Sequence, residues 1–198
     1  MLFAFSASEF ITAATTLFIV MNPLSSIPVY LTLTQKLDAA AKRATVNQAA
    51  LVAGGLAVVF LLAGPSFLEF TGLSLAGFKV AGGIVLGILG LQTVLGIHFG
   101  SKQEQNDPNA IGLIIGTPML TGPGVLTTVL LTSGESGGLT AFAAIIFAVA
   151  ASWLILRFAD CLDKALGKRF IAVFAKVMGL VIIGKGVQLI VFGLKAIA

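Results

Sequence analysis

Six apolar runs, near residues 9–33, 45–64, 73–98, 111–132, 138–158 and 170–194, fill almost the whole chain. Each is close to the roughly 20 residues that an α-helix needs to cross the hydrocarbon layer of a bilayer. Soluble domains carry about 25% charged residues. Here the share is 10%, against 58% hydrophobic residues. In lipid every backbone polar group must find a partner within the protein. The expected fold is therefore an all-α membrane protein with six transmembrane helices. No soluble domain is left over, because the longest polar stretch, Gly100–Asn109, merely joins spans 3 and 4. Met1–Ser8 has neither a basic leader nor a small-residue cleavage pattern, so the first span is expected to be retained rather than removed as a signal peptide.

The basic residues are unevenly placed. Lys36, Lys42 and Arg43 follow span 1, Lys102 follows span 3, and Arg157, Lys164, Lys168 and Arg169 follow span 5; the turns after spans 2 and 4 carry Glu69 and Glu135 instead. By the excess of Lys and Arg in cytoplasmic loops, the odd-numbered turns are expected in the cytoplasm and both termini outside. This asymmetry accounts for the net charge of +4. The charges are spread over short turns without interleaved aromatics, which argues against a nucleic-acid partner. The single Cys161 excludes an internal disulfide and gives no metal-ligand pattern, so neither metal nor cofactor is expected.

Two places in the sequence predict broken helices. Asn22-Pro23 with Pro28 lies in the first span, and Thr117-Pro118 with Pro123 in the fourth. Proline removes a backbone donor and frees the carbonyl four residues earlier, here those of Ile19, Leu24, Ile114 and Met119. Sliding the chain on itself by 95 residues lays Asn22, Pro23, Ser26, Pro28, Leu31 and Thr32 on Thr117, Pro118, Thr121, Pro123, Leu126 and Thr127. A shift of 97 lays Lys79, Val80, Gly82 and Gly87 on Lys176, Val177, Gly179 and Gly184. The chain thus reads as a duplication: residues 1–99 a first three-helix repeat, 100–110 a cytoplasmic loop, 111–198 a second repeat. A three-helix unit has an odd number of crossings, so the second copy enters from the opposite side. Inverted repeats with matched broken helices are a device of secondary transporters, and the interrupted segments point to the binding site.

The residues that carry these features also resemble a known family. MNPLSSIPVYLTLT in the first half, GTPMLTGPGVLTT in the second, and the third helices FKVAGGIVLGILG and KVMGLVIIGKGVQ look like the MarC family of prokaryotic inner-membrane proteins. The likeness covers all six spans. It implies a six-helix transporter in the wider group that includes lysine-exporter-like permeases, with members assigned to small neutral amino acids. One departure from the family's pattern is Lys185, inside an apolar run of span 6.

The chemistry expected at the breaks follows from the backbone. Residues before proline avoid the helical region, so Asn22, Ile27, Thr117 and Gly122 are expected to be extended or turn-like. Pro28 and Pro123 are expected to open the second half-helix of each span. The amides of Val29, Tyr30, Leu31, Gly124, Val125 and Leu126 would then sit unpaired at the positive end of a helix dipole, suited to an anion. Freed carbonyls would suit an ammonium group or a cation, and a zwitterion carries both partners. Ser25, Ser26, Gly122 and Gly124 leave room only for a small side chain. The candidate substrate site is therefore Asn22, Pro23, Ser25, Ser26, Pro28, Thr32, Thr117, Pro118, Thr121, Gly122, Pro123, Gly124 and Thr127. The same hydroxyls could instead be glue between helices, and the glycine pairs Gly83xxxGly87 and Gly112xxxGly116 read as close helix packing.

Three lysines are candidates for gating or counter-charge. Lys79 and Lys176 lie near span ends, where anchoring at the interface is the alternative; Lys185 lies deep in span 6 and is expected to face the protein interior, with Gln188 one turn on. His98 reads as an interfacial cap, and Trp153 and Tyr30 as packing. No Asp or Glu falls deep in a span, so a coupling ion, sodium or proton, would use carbonyls and hydroxyls or an end-of-span carboxylate. No nucleophile-and-base or metal constellation suggests an enzyme. The expectation is a secondary transporter of small neutral amino acids such as glycine or alanine, in a prokaryotic cytoplasmic membrane. An inorganic-ion or small-metabolite permease and a non-transporting scaffold or regulator are the alternatives.

Overall fold

The computed structural model describes residues 6–96 and 108–197, so His98, Lys102 and nearly all of the polar connection fall outside the described residues. Within them all regular structure is helical. α1 (Ala7–Met21) and α2 (Pro23–Leu33) make the first crossing, α3 (Ala39–Thr71) the second and α4 (Leu75–Leu95) the third. α5 (Pro108–Ile114), a π-helical turn (Ile115–Leu120) and α6 (Pro123–Ser136) follow, then α7 (Gly138–Arg157) and α8 (Ala159–Ile197). Five stretches are long and apolar enough to cross a membrane: Ala7–Leu33, α3, α4, α7 and Arg169–Ala196 within α8. The fourth expected span departs from the simple reading. It is divided into pieces of 7, 6 and 14 residues, none of crossing length alone.

Helix ends follow local chemistry. The Asp38 carboxylate accepts the Ala41 amide at 2.7 Å and the Ser74 hydroxyl accepts the Gly77 amide at 3.0 Å, which satisfies donors at the starts of α3 and α4. Both helices close on a left-handed glycine, Gly72 at φ 68° and Gly96 at φ 71°. Gly167, at φ 78°, interrupts α8 and separates a charged leading segment from the crossing stretch. The 33 residues of α3 amount to about 50 Å, well beyond a hydrocarbon layer of about 30 Å. The helix is thus longer than the apolar run 45–64, and Lys42, Arg43 and Glu69 ride on its projecting ends.

Burial is organised into two apolar cores. One gathers Leu17, Met21, Leu86, Val129, Ile145 and Ile182. The other gathers Ile27, Tyr30, Ile115, Leu120, Leu156 and Ile171. Elements pass between them in opposite senses. The first crossing runs from Met21 in the first core to Ile27 in the second, whereas the divided segment 108–136 runs from Leu120 in the second to Val125 in the first. α3 goes from second to first, Ala53 to Ala57, and α7 from first to second, Ala148 to Leu156.

α4 and α8 form the most extensive helix pair. Glycines spaced seven apart set it: a Cβ on Gly90 would lie 2.6 Å from the Gly179 carbonyl, one on Gly83 2.5 Å from the Gly186 carbonyl, and one on Gly193 2.8 Å from the Ala76 carbonyl. Residue numbers rise on one helix as they fall on the other, so the two run antiparallel. Close backbone approach of this kind supplies the van der Waals attraction that lipid cannot. Gly186→Leu is expected to lower the melting temperature in detergent by an amount equivalent to about 1–3 kcal/mol of overpacking or more. Gly184→Ala, where an added Cβ meets nothing within 4 Å, is expected to leave it near wild type.

Candidate functional site

The first break is one residue wide. Asn22 adopts φ 43°, ψ 57°, the only positive φ outside glycine among the described residues. Pro23 disfavours the right-handed helical region for its predecessor, and asparagine is one of the few side chains that accepts the left-handed region. α2 then starts with Pro23 in its first turn, where the missing N–H costs nothing. The Asn22 carbonyl is satisfied twice, by the Ser25 amide at 3.2 Å and the Ser25 hydroxyl at 2.9 Å. Its side-chain amide is not. Asn22 is 6% exposed, and neither Nδ2 nor Oδ1 has a hydrogen-bond partner.

Pro28 corrects the expectation. It lies inside α2, so Ile27 is helical and the amides of Val29, Tyr30 and Leu31 belong to a running helix rather than to a fresh N-terminus. The physical reason is packing: Ile27 and Tyr30, three apart and both buried, enter the second core only if the helix continues through Pro28. Thr32 is exposed, with its hydroxyl on the Pro28 carbonyl at 2.8 Å.

The second break spans both of its prolines. Thr117, which aligns with Asn22, is extended at φ −141°, ψ 120°; Thr121 has φ −125°, ψ 71°, and Gly122 has φ −86°, ψ 177°. Pro123 opens α6, as expected. The amides of Val125 and Leu126, expected to be unpaired, both reach the Gly122 carbonyl at 2.9 and 3.2 Å. The Thr121 hydroxyl donates to the Ala53 carbonyl of α3 at 3.1 Å and is buried. Glycines let this segment press on its neighbours: a Cβ on Gly116 would lie 2.8 Å from the Ala49 carbonyl, and one on Gly124 would collide with Leu86. Thr117 itself is exposed. Thr127 is buried against Gly82.

The two breaks adjoin at the seam between the cores. α1 packs on α6 and α2 touches the π-helical turn. Asn22 follows Met21 of the first core, and Thr121 follows Leu120 of the second. Ser152 of α7, between Ala148 and Leu156, lies in the same layer; its hydroxyl bonds the Ala148 carbonyl at 2.7 Å and approaches the Met21 sulfur at 3.8 Å. Asn22, Ser26, Thr121 and Ser152 are all buried and lie on elements that pack together near this seam, and they form the candidate site. Sequence reading missed Ser152. Its only signal is a single serine deep in the apolar run of span 5. Among the described residues, no group of three or more metal-ligating side chains is assembled.

The candidate lysines part company. Lys79 approaches Glu135 at 3.9 Å, α4 to α6. Lys176 is exposed. Lys185 is half-buried on the flank of α8 that carries buried Ile182 and Gly186, and it forms no ion pair with a described residue. A second tie, Lys42 to Asp160 at 2.9 Å, joins α3 to the start of α8 at the other end of the bundle. Trp153 is half-buried and donates its indole N–H to the Asn47 side chain at 2.8 Å.

Comparison with known proteins agrees with the motifs. The chain is 30% identical to a UPF0056 membrane protein of Aquifex aeolicus, with 94% of this chain and 92% of the relative covered. It is 28% identical to the UPF0056 membrane protein YvbG of Bacillus subtilis over 98% and 96%. To the UPF0056 inner membrane protein YhgN of Escherichia coli it is 25% identical over 95% and 97%. No solved structure matches. The family model described as MarC family integral membrane protein matches residues 7–198, and this chain, a multi-pass helical membrane protein, belongs to the MarC family.

Proposed function

We propose that the protein is a secondary transporter of small neutral amino acids, of glycine or alanine size, working by alternating access around the two breaks. One observation carries this reading: the Asn22 side chain, buried at the core seam with both its donor and its acceptor unpaired. An orphaned buried amide costs about 1–3 kcal/mol, more than an incidental kink warrants. Its Nδ2 suits a carboxylate and its Oδ1 an ammonium group, and an amino acid offers both on adjacent atoms. Ser26, Thr121 and Ser152 add short polar side chains, and the apolar cores on either side leave little room for a bulky substrate.

The inverted repeat belongs to the same proposal. The two pairs that the internal duplication aligns, the first span against the divided fourth and α4 against α8, run in opposite senses, and so do α3 and α7. Such a pair of units can rock about a shared central site and open it to each side in turn. The Lys79–Glu135 and Lys42–Asp160 ties lie at opposite ends of the bundle and join the two halves there. Lys185 supplies a half-buried positive charge on the first-core side. In this reading the Lys/Arg-rich end, beyond the second core, faces the cytoplasm and the termini lie outside.

Asn22→Gly tests the reading most directly, because glycine keeps the left-handed backbone while deleting the amide. In proteoliposomes it is expected to cut glycine or alanine uptake about tenfold or more while the melt stays within about 1 kcal/mol of wild type. Uptake at the wild-type rate would sink the proposal. Pro28→Ala, which leaves the Asn22 break in place, is expected to transport normally. Stabilisation of the purified protein by sodium alone, with no response to amino acids, turns the reading to a cation permease. Vesicles under separate proton and sodium gradients identify the coupling ion, and a sodium-driven flux is expected from hydroxyl and carbonyl ligands.

A further inference from the structure

We infer that the cleft at the basic end of the bundle is a binding site for a phosphate group, distinct from the substrate site at the core seam. The cleft has a volume of about 450 Å³ and is lined by Tyr30, Lys42, Arg43, Arg157 and Asp160 beside apolar Val46 and Phe158. That volume lies in the range of about 300–1,000 Å³ usual for ligand pockets. It forms where α2 ends, α3 begins and α7 gives way to α8, at the end of the bundle beyond the second core.

The charges in the cleft do not cancel. Asp160 is engaged by Lys42 through both carboxylate oxygens, at 2.9 and 3.1 Å. Arg43 and Arg157 form no ion pair with any described residue, so two guanidinium charges remain open on one cleft. Basic residues at a membrane end are ordinary, and scattered over turns they serve topology. Here three of them, from the start of α3 and the end of α7, converge on one concavity, and Arg157 is half-buried. A phosphate monoester carries a charge of about −1.5 to −2 and presents oxygens that guanidinium groups bind in pairs. A lipid phosphodiester has the same oxygens, and the apolar wall suits the glycerol and upper acyl carbons behind it. Anionic lipid headgroup and free phosphate thus share one recognition chemistry.

The full-length protein in detergent separates the two sources. Native mass spectrometry counts retained phosphatidylglycerol, and thermal melts follow titration with inorganic phosphate. Arg43→Gln with Arg157→Gln is expected to weaken whichever ligand binds by about tenfold or more, since the charged hydrogen bonds from both guanidinium groups are lost. Arg157→Lys is expected to retain part of the affinity, and Arg169→Gln, outside the cleft, to retain all of it. Lipid lost from the double variant alone assigns the site to a headgroup; a phosphate-induced rise in melting temperature lost from it alone assigns the site to free phosphate. Lipid retention and phosphate response unchanged in the double variant, or reduced equally by Arg169→Gln, overturn the inference. Helix content by circular dichroism confirms that each variant is folded, and none of these readouts depends on transport.

Discussion

A peptide group left unpaired in hydrocarbon costs several kcal/mol, and every notable feature of this protein answers to that fact. Continuous helices meet it without help. Interrupted helices meet it only where protein surrounds the gap, and the two interruptions here lie where the apolar cores join, inside the bundle. The first is closed by the Ser25 amide and hydroxyl on the Asn22 carbonyl, the second by the Gly122 carbonyl receiving two amides and by the Thr121 hydroxyl on Ala53. Among the described residues, the buried side-chain group left without a hydrogen-bond partner is the Asn22 amide.

The supporting architecture is stiff where the site needs walls. α4 and α8 meet through glycines whose missing side chains bring carbonyls to near contact, and the fourth crossing presses on α3 through Gly112 and Gly116. Both contacts join one half of the chain to the other, and packing this close is not continuously deformable, so it permits discrete arrangements rather than gradual sliding. Polar ties at the two ends, Lys79 to Glu135 and Lys42 to Asp160, join elements from the two halves and are half-solvated. Solvated pairs of this kind are weak, of order 0–1 kcal/mol, and are readily exchanged.

Much of this was legible before any coordinates. Length and hydropathy of the runs announced helices in lipid, and residues before proline announced the breaks: Asn22 and Thr117, aligned by the internal duplication, are both non-helical. Gly83, Gly112 and Gly116 pack closely, as expected, whereas a Cβ on Gly87 would meet nothing within 4 Å. Pro28 departs from its expectation. Proline chemistry alone favours a new helix start, but burial of Ile27 and Tyr30 in one core outweighs the lost hydrogen bond. Ser152 was silent because a single serine in an apolar helix bonds its own preceding turn whether or not it borders a site.

By itself, then, the sequence determined the solvent in which the chain lives, the helical state and the residues at which helices can break, because these depend on transfer free energies and on dihedral limits that act within a few residues. The tertiary structure decided which breaks are realised, that the Asn22 amide is buried without a hydrogen-bond partner among the described residues, and that arginines 114 positions apart, Arg43 and Arg157, face one cleft. Those outcomes depend on which surfaces meet across the bundle. Packing at a distance is set by all the helices together, and no local stretch of sequence encodes it.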